Sequence, residues 1–444
     1  MIKILKIKIP KVLYNNKLYI NFRYLSYLFL FSFFVLQTFL LIRIGSLPSL
    51  NLQRILLVVL MFWIFSDKNK LGIFIQEVKG CKYNFVLFLY LIVCIYTAVF
   101  RRDINTVFSV LVDCYMTFYL FYYFFRKIFT IKDILRFIQF CLTLVCIMGI
   151  IEFITGFNFF TTFQIGIGNI SDSIDASYRD GILRVRGPYG HSLAYGLVIN
   201  LFFPLTCLDL KKNEINILNN IFLLIIVSLN IFFTGARSSL GLFLLEVLVI
   251  SLLSPKKANK KNLIFALFTI LTIGTIFRFS SDSEIVVFLK KQFYYVYDAI
   301  FGTNMAYEFG GDSSIKASSI ARDRLWKIFL SDSINPWIGQ GVSSNISIRI
   351  DNWNVTSIDN YYVKLFITLG IPGLVTLALF FIKAIFNSVK QYFIKREPLF
   401  LLILISQICY LINLFVVDEL STLKYFFFLV ALQVCAGRYI LNEK

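Results

Sequence analysis

The chain has 444 residues, of which 58% are hydrophobic, 18% aromatic and only 16% charged, well below the roughly 25% charged residues of ordinary soluble domains. A soluble fold of this composition would leave large apolar patches in water, so soluble classes are excluded and lipid becomes the expected solvent. The excess of 44 Lys and Arg over 25 Asp and Glu needs no nucleic-acid partner, because orientation in a membrane itself calls for basic residues in cytoplasmic loops.

The basic stretch 1–23 lacks a small-residue cleavage site and reads as a cytoplasmic tail ahead of an uncleaved first helix. Apolar runs able to cross about 30 Å of hydrocarbon follow at 24–44, 50–66, 84–100, 107–125, 134–156, 188–208, 215–233, 238–254, 262–279, 361–382, 399–417 and 421–440. Lipid leaves no unpaired backbone, so each is expected to be a helix. The expected fold is an all-α polytopic membrane protein of about 12 transmembrane helices. Helices 1–9 occupy 24–279 with an outer loop at 157–187. A large extracytoplasmic loop, 280–358, separates helices 9 and 10, and 359–444 holds helices 10–12 with a cytoplasmic C-terminus.

Basic residues support that orientation. Lys68, Lys70, Lys79 and Lys82, then Arg126, Lys127 and Lys132, then Lys211 and Lys212 fall on the side of the N-terminal tail. Lys256, Lys257, Lys260 and Lys261, and finally Lys390, Lys395 and Arg396, do the same. The eight cysteines form no CxxC pair and accompany no histidine cluster, so they read as buried small hydrophobes. Two carboxylates inside apolar runs, Asp113 and Glu246, look isolated; a transporter reading would start from them.

The outer segments carry arginines where the positive-inside rule disfavours them: Arg179, Arg184 and Arg186, then Arg237, then Arg322, Arg324 and Arg349. A guanidinium stays charged and grips phosphate through a planar fork of donors. Arginines converging on an outer cavity would hold an anionic ligand such as a lipid-linked pyrophosphate and stabilise charge on a departing phosphate. Tyr178, Tyr189, Tyr361, Tyr362, Trp326, Trp337 and Trp353 would stack on sugar rings; anchoring at the membrane surface is the competing role.

Four stretches resemble the O-antigen polymerase and ligase superfamily. Arg184-Val-Arg-Gly-Pro-Tyr-Gly-His191-Ser-Leu-Ala194 is similar to its arginine-glycine segment opening a helix, and Thr234-Gly-Ala-Arg237-Ser-Ser-Leu-Gly241 to a turn between paired helices. Arg324-Leu-Trp326 with Asn335-Pro-Trp-Ile-Gly-Gln-Gly341 resembles part of its large outer loop. Asp359-Asn360, then Gly370-Ile-Pro-Gly373, resembles the ligase pattern of His-Asn followed by Gly-x-x-Gly. Asp359 stands where ligases carry a histidine implicated in catalysis, which favours polymerase over ligase.

The resemblance implies metal-independent glycosyl transfer, with no cofactor, at the outer face of a bacterial inner membrane. Its substrates would be oligosaccharides on undecaprenyl pyrophosphate, for O-antigen, capsule or exopolysaccharide, with a separate chain-length regulator as the usual partner. Arg237 with Arg184 or Arg186 would hold pyrophosphate, and Arg322 or Arg324 would complete the clamp. Asp359 is the candidate general base and His191 the other. Against these stand helix capping for His191 and Asp359, and loop-internal ion pairs for Arg186 and Arg324. Gly187, Gly190, Gly235, Gly370 and Gly373 suit turns or close packing. An O-antigen ligase is the nearest rival. A lipid-linked oligosaccharide flippase is the rival of another class, disfavoured because the charges gather in the outer loops.

Overall fold

The computed structural model describes residues 17–42, 49–167, 178–179, 181–255, 259–262, 284–308, 324–331, 333–342, 348–350, 353–355, 358–418 and 421–442. Helices dominate: α1 (Lys17–Phe34), α2 (Leu52–Phe65), α3 (Lys68–Lys79), α4 (Asn84–Arg101), α5 (Ile104–Lys127) and α6 (Ile131–Thr155) come first. They are followed by α7 (Ser192–Thr206), α8 (Ile221–Phe233), α9 (Arg237–Leu253), α10 (Glu284–Phe301), α11 (Tyr361–Lys395), α12 (Pro398–Asn413) and α13 (Leu423–Asn442). Among the described residues, α4, α5, α6 and α11 are long and apolar enough to cross a membrane; α2, α7 and α12 are shorter apolar helices. The fold is that of a mostly helical membrane protein. Residues 263–279 of the expected run 262–279, with Arg322 and the middle of the large loop, lie outside the described residues.

Local chemistry sets the helix starts. Asn51, Asp67, Asp103, Thr130, Asn220 and Asn360 each accept a backbone N–H of the following turn, satisfying donors that a helix leaves open. Polar caps therefore punctuate a chain that is apolar almost throughout. Two sequence expectations need correction, the single helix at 24–44 and the isolation of Asp113. The run 24–44 is not one helix: α1 ends at Phe34 and Leu40–Ile42 is a strand, paired antiparallel with Leu50–Asn51 and parallel with Ile165–Ile167. The large loop contains an 18-residue helix, α10, which packs on α9. Asp113 is not isolated, because Arg54 grips it with Nε–Oδ1 at 2.9 Å and Nη2–Oδ2 at 2.6 Å.

The core is aromatic. Phe33, Phe121, Phe428 and Tyr425 are buried and meet at ring-centroid distances of 4.6–5.6 Å, joining α1, α5 and α13. All eight cysteines are buried thiols. A second cluster unites Leu325, Ile328, Ile334, Val355 and Ile358 with Val363, Phe366 and Ile367 of α11, so part of the large loop is seated on the start of α11.

Helix α11 is broken at Gly370, whose φ of 66° and ψ of −167° are not helical. A break exposes backbone groups that apolar surroundings cannot satisfy, and segment 335–341 satisfies them here. Gln340 N–H donates to Ile367 O at 2.7 Å, Gly341 N–H to Thr368 O at 3.0 Å, and Ile371 N–H to Pro336 O at 2.7 Å. The same segment is tied to α4, with Thr97 Oγ1 donating to Ile338 O at 2.9 Å and Arg101 Nε to Gly339 O at 2.7 Å. Both glycines at the crossing are needed. A Cβ on Gly339 would overlap the Thr368 carbonyl, and one on Gly370 would stand 2.5 Å from Pro336 O.

Candidate functional site

One end of the bundle gathers the end of α6, the starts of α7, α9 and α11, and the ends of α8 and α12. The strand-like stretch before α7 is fastened there through its backbone. Val185 is fully buried and its N–H donates to Phe233 O at 2.9 Å. Arg184 and Arg186, two residues apart, flank it, and each is only 8% exposed. Arg184 Nε donates to Thr234 O at 2.8 Å, so its side chain lies along the Thr234–Arg237 turn. The α-carbon of Gly235 faces it: a Cβ there would be 3.4 Å from Arg184 Nε, and φ is +58°.

Arg186 turns toward Glu152, a buried carboxylate near the end of α6. Glu152 accepts the N–H of Gly187 at 2.9 Å and of Arg186 at 3.4 Å, with Arg186 Nε 3.8 Å from Oε1. Asn158 Nδ2 adds a bond to Gly187 O at 3.1 Å. Arg186 is thus engaged in an internal ion pair, the structural competitor to pyrophosphate binding. Sequence reasoning missed Glu152; its only signal was a carboxylate near the end of an apolar run, of the kind singled out at Asp113 and Glu246.

Arg237 is the first residue of α9, where a cation opposes the helix dipole. Its guanidinium lies 5.5 Å from the Tyr295 ring centroid of α10 and the residue is half-buried. A charge kept at an electrostatically disfavoured helix end fits a role toward an anion.

His191 caps α7: its Nδ1 accepts the Leu193 N–H at 3.1 Å. The cap decides its chemistry. With Nδ1 used as an acceptor, the neutral ring carries its proton on Nε2 and offers a donor. The proton affinity of His191 is pushed below its ordinary value, first by loss of water around the ring and then by the charge of Arg184, while Asp359 pulls the other way. Arg184, His191 and Asp359 therefore form one electrostatic neighbourhood. The lowered proton affinity favours the neutral ring at neutral pH, with Nδ1 occupied by the cap.

Asp359 is half-buried and does not cap α11. Asn360 does, accepting the N–H groups of Tyr362 at 3.0 Å and Val363 at 3.1 Å while donating to Phe415 O at 2.9 Å. Arg324 is exposed and precedes the buried Leu325, which belongs to the cluster on α11. The structure brings together Arg184, His191 and Asp359, with Arg237 on the turn that Arg184 touches. Arg186 is diverted to Glu152. Trp337 is exposed on the segment bound at the α11 break. Asn335–Gly341 and Gly370–Gly373 thereby emerge as two halves of one structural lock.

Residues 222–378 match the family model described as O-antigen ligase. The match covers just over a third of the chain and shows a likeness to that family over this stretch. It spans three of the four resembling stretches; Arg184–Ala194 lies before it. No curated protein matches the chain. The apolar helices are those of a membrane protein.

Proposed function

We propose that this protein is a polysaccharide repeat-unit polymerase, transferring a growing glycan from undecaprenyl pyrophosphate to the next lipid-linked repeat unit at the outer face of the inner membrane. The observation that carries this reading is the Arg184–His191–Asp359 neighbourhood beside Arg237. Arg184 and Arg237 supply fixed positive charge for the donor pyrophosphate and for charge developing on it as the glycosidic bond breaks. Asp359, released from capping by Asn360, accepts the proton of the attacking sugar hydroxyl. His191 offers Nε2–H to the same polar centre. Because Asp359 replaces the ligase histidine, a polymerase is preferred over the ligase reaction.

The test is a gel of surface glycan from cells lacking the protein, rescued with wild type or with Arg237→Ala. Glycan reduced to a single repeat on its final acceptor, with no ladder restored by the variant, supports polymerisation and places Arg237 in it. Acceptor without glycan, while long chains accumulate on the carrier, points to a ligase. Single units retained on the carrier at the inner face sink both transferase readings.

A further inference from the structure

Beside Asp359 the structure presents a half-exposed aromatic surface built from separate parts of the chain. Trp326 of the short 326–330 helix and Phe415 just past α12 are each 49% exposed. Their ring centroids lie 6.5 Å apart at an interplanar angle of 36°. Phe415 rests on Tyr362 at 4.4 Å, and Trp326 is stacked on Phe329 at 5.8 Å and 17°, which in turn meets Phe366 at 4.7 Å. Phe415 is therefore backed by a ring of α11, and Trp326 by Phe329 of its own short helix, which rests on Phe366 of α11. Asn360, the residue after Asp359, holds the Phe415 carbonyl. Polar groups rim the surface: Lys364 and Asp418 pair at 2.5 Å, three residues from Tyr361 and Phe415 respectively, and exposed Arg324 precedes Trp326 by two.

We propose that Trp326 and Phe415 form the platform on which the sugar of the incoming acceptor stacks, setting its hydroxyl toward Asp359. A pyranose ring shows one apolar C–H face and a rim of hydroxyls. Backed aromatic rings beside charged hydrogen-bonding groups complement both at once. Lipid tails would match the rings alone and leave the ion-paired rim without purpose. Rings held by Tyr362 and Phe329 lose little freedom on binding, which favours weak ligands. The proposal rests on the transferase reading and adds where the acceptor sugar sits.

The test uses full-length protein in lipid nanodiscs, with repeat-unit oligosaccharide released by mild acid from the host's carrier lipid as the binding probe. Leucine replaces each ring, since it keeps apolar bulk for anchoring and folding but has no aromatic face. Trp326→Leu and Phe415→Leu should raise the acceptor KM about three- to ten-fold, the range expected for losing one aromatic contact, with kcat and donor KM nearly unchanged. Saturation transfer by NMR to the sugar ring protons should fall in parallel, and Trp326→Phe should restore both. Unchanged KM and saturation transfer in the leucine variants would overturn the platform and leave these rings as interfacial anchors. A drop in kcat at constant KM overturns it too, as the mark of a structural role. If wild type binds sugar in a ring-dependent way but transfers none, the platform stands and the transferase reading falls.

Discussion

His191 is the sole histidine of the chain, which makes its protonation directly readable. Its proton affinity lies below the ordinary histidine value, so between the folded and unfolded values the folded state binds fewer protons. Its contribution to stability is complete above about pH 6.5 and declines as pH falls through the folded value. Diethylpyrocarbonate modification of untagged protein should titrate with a midpoint below about 6.5. Arg184→Leu should move that midpoint up and Asp359→Asn should move it down; a midpoint indifferent to both would dissolve the neighbourhood. His191→Asn keeps a capping oxygen and removes Nε2–H, so it should preserve Tm while lowering kcat if the donor matters. At Glu152 the expectation is thermodynamic. Glu152→Ala leaves a buried Arg186 uncompensated, a change of about 3–5 kcal/mol, visible as a lower Tm in detergent, and Arg186→Met in the same chain should recover part of it. The arginines and His191 were legible in the sequence because charge against an apolar background stands out. Their partners were not, since Glu152 is 34 residues from Arg186 and only folding brings them together.

At the scale of elements, the break in α11 and segment 335–341 act as one joint. Gly339 has φ +71° and Gly370 φ +66°, so alanine at either brings left-handed strand geometry into conflict with a backbone contact. Each should destabilise by about 2–5 kcal/mol from overpacking and backbone strain, read as loss of the monodisperse peak in size-exclusion chromatography or a lowered Tm. Alanine at Gly72, where nothing stands within 4 Å, is the neutral comparison. Full stability in Gly370→Ala would contradict the joint. The sequence marked Gly370 and Gly373 for turns or helix packing; Gly370 instead breaks α11 against the backbone of Pro336, and a Cβ on Gly373 would meet Leu369 across that break. The sequence did not reveal that Asn335–Gly341 fills the break, because the segments are hydrogen-bonded partners without any shared periodicity. The end of α1 escaped for a related reason: Leu40–Ile42 is as apolar as a helix, and pairing with Leu50–Asn51 and Ile165–Ile167 makes it a strand.

For the whole molecule, hydrophobic runs were a sound guide to where helices form, since lipid admits little else, and a poor guide to α10, which lies among polar loops. The proposed orientation rests on the basic clusters. An alkaline phosphatase fusion within 302–304 should be active outside the cytoplasm, while a fluorescent-protein fusion at 212–213 should glow inside; the reverse pattern would invert the proposed topology. The break at Gly370 also bears on membrane thickness. The portion after it, 371–395, is about 37 Å long at roughly 1.5 Å per residue, enough to cross a bilayer alone. The nine residues before it reach only about 13 Å, so Asp359 is carried on a short spur whose height above the hydrocarbon is set by how the longer portion sits. Lipids that are too thick or too thin would raise or sink that spur relative to a carrier whose pyrophosphate stays at the headgroups. Under the proposed function, bilayer thickness thereby becomes a dial on how well Asp359 meets the acceptor.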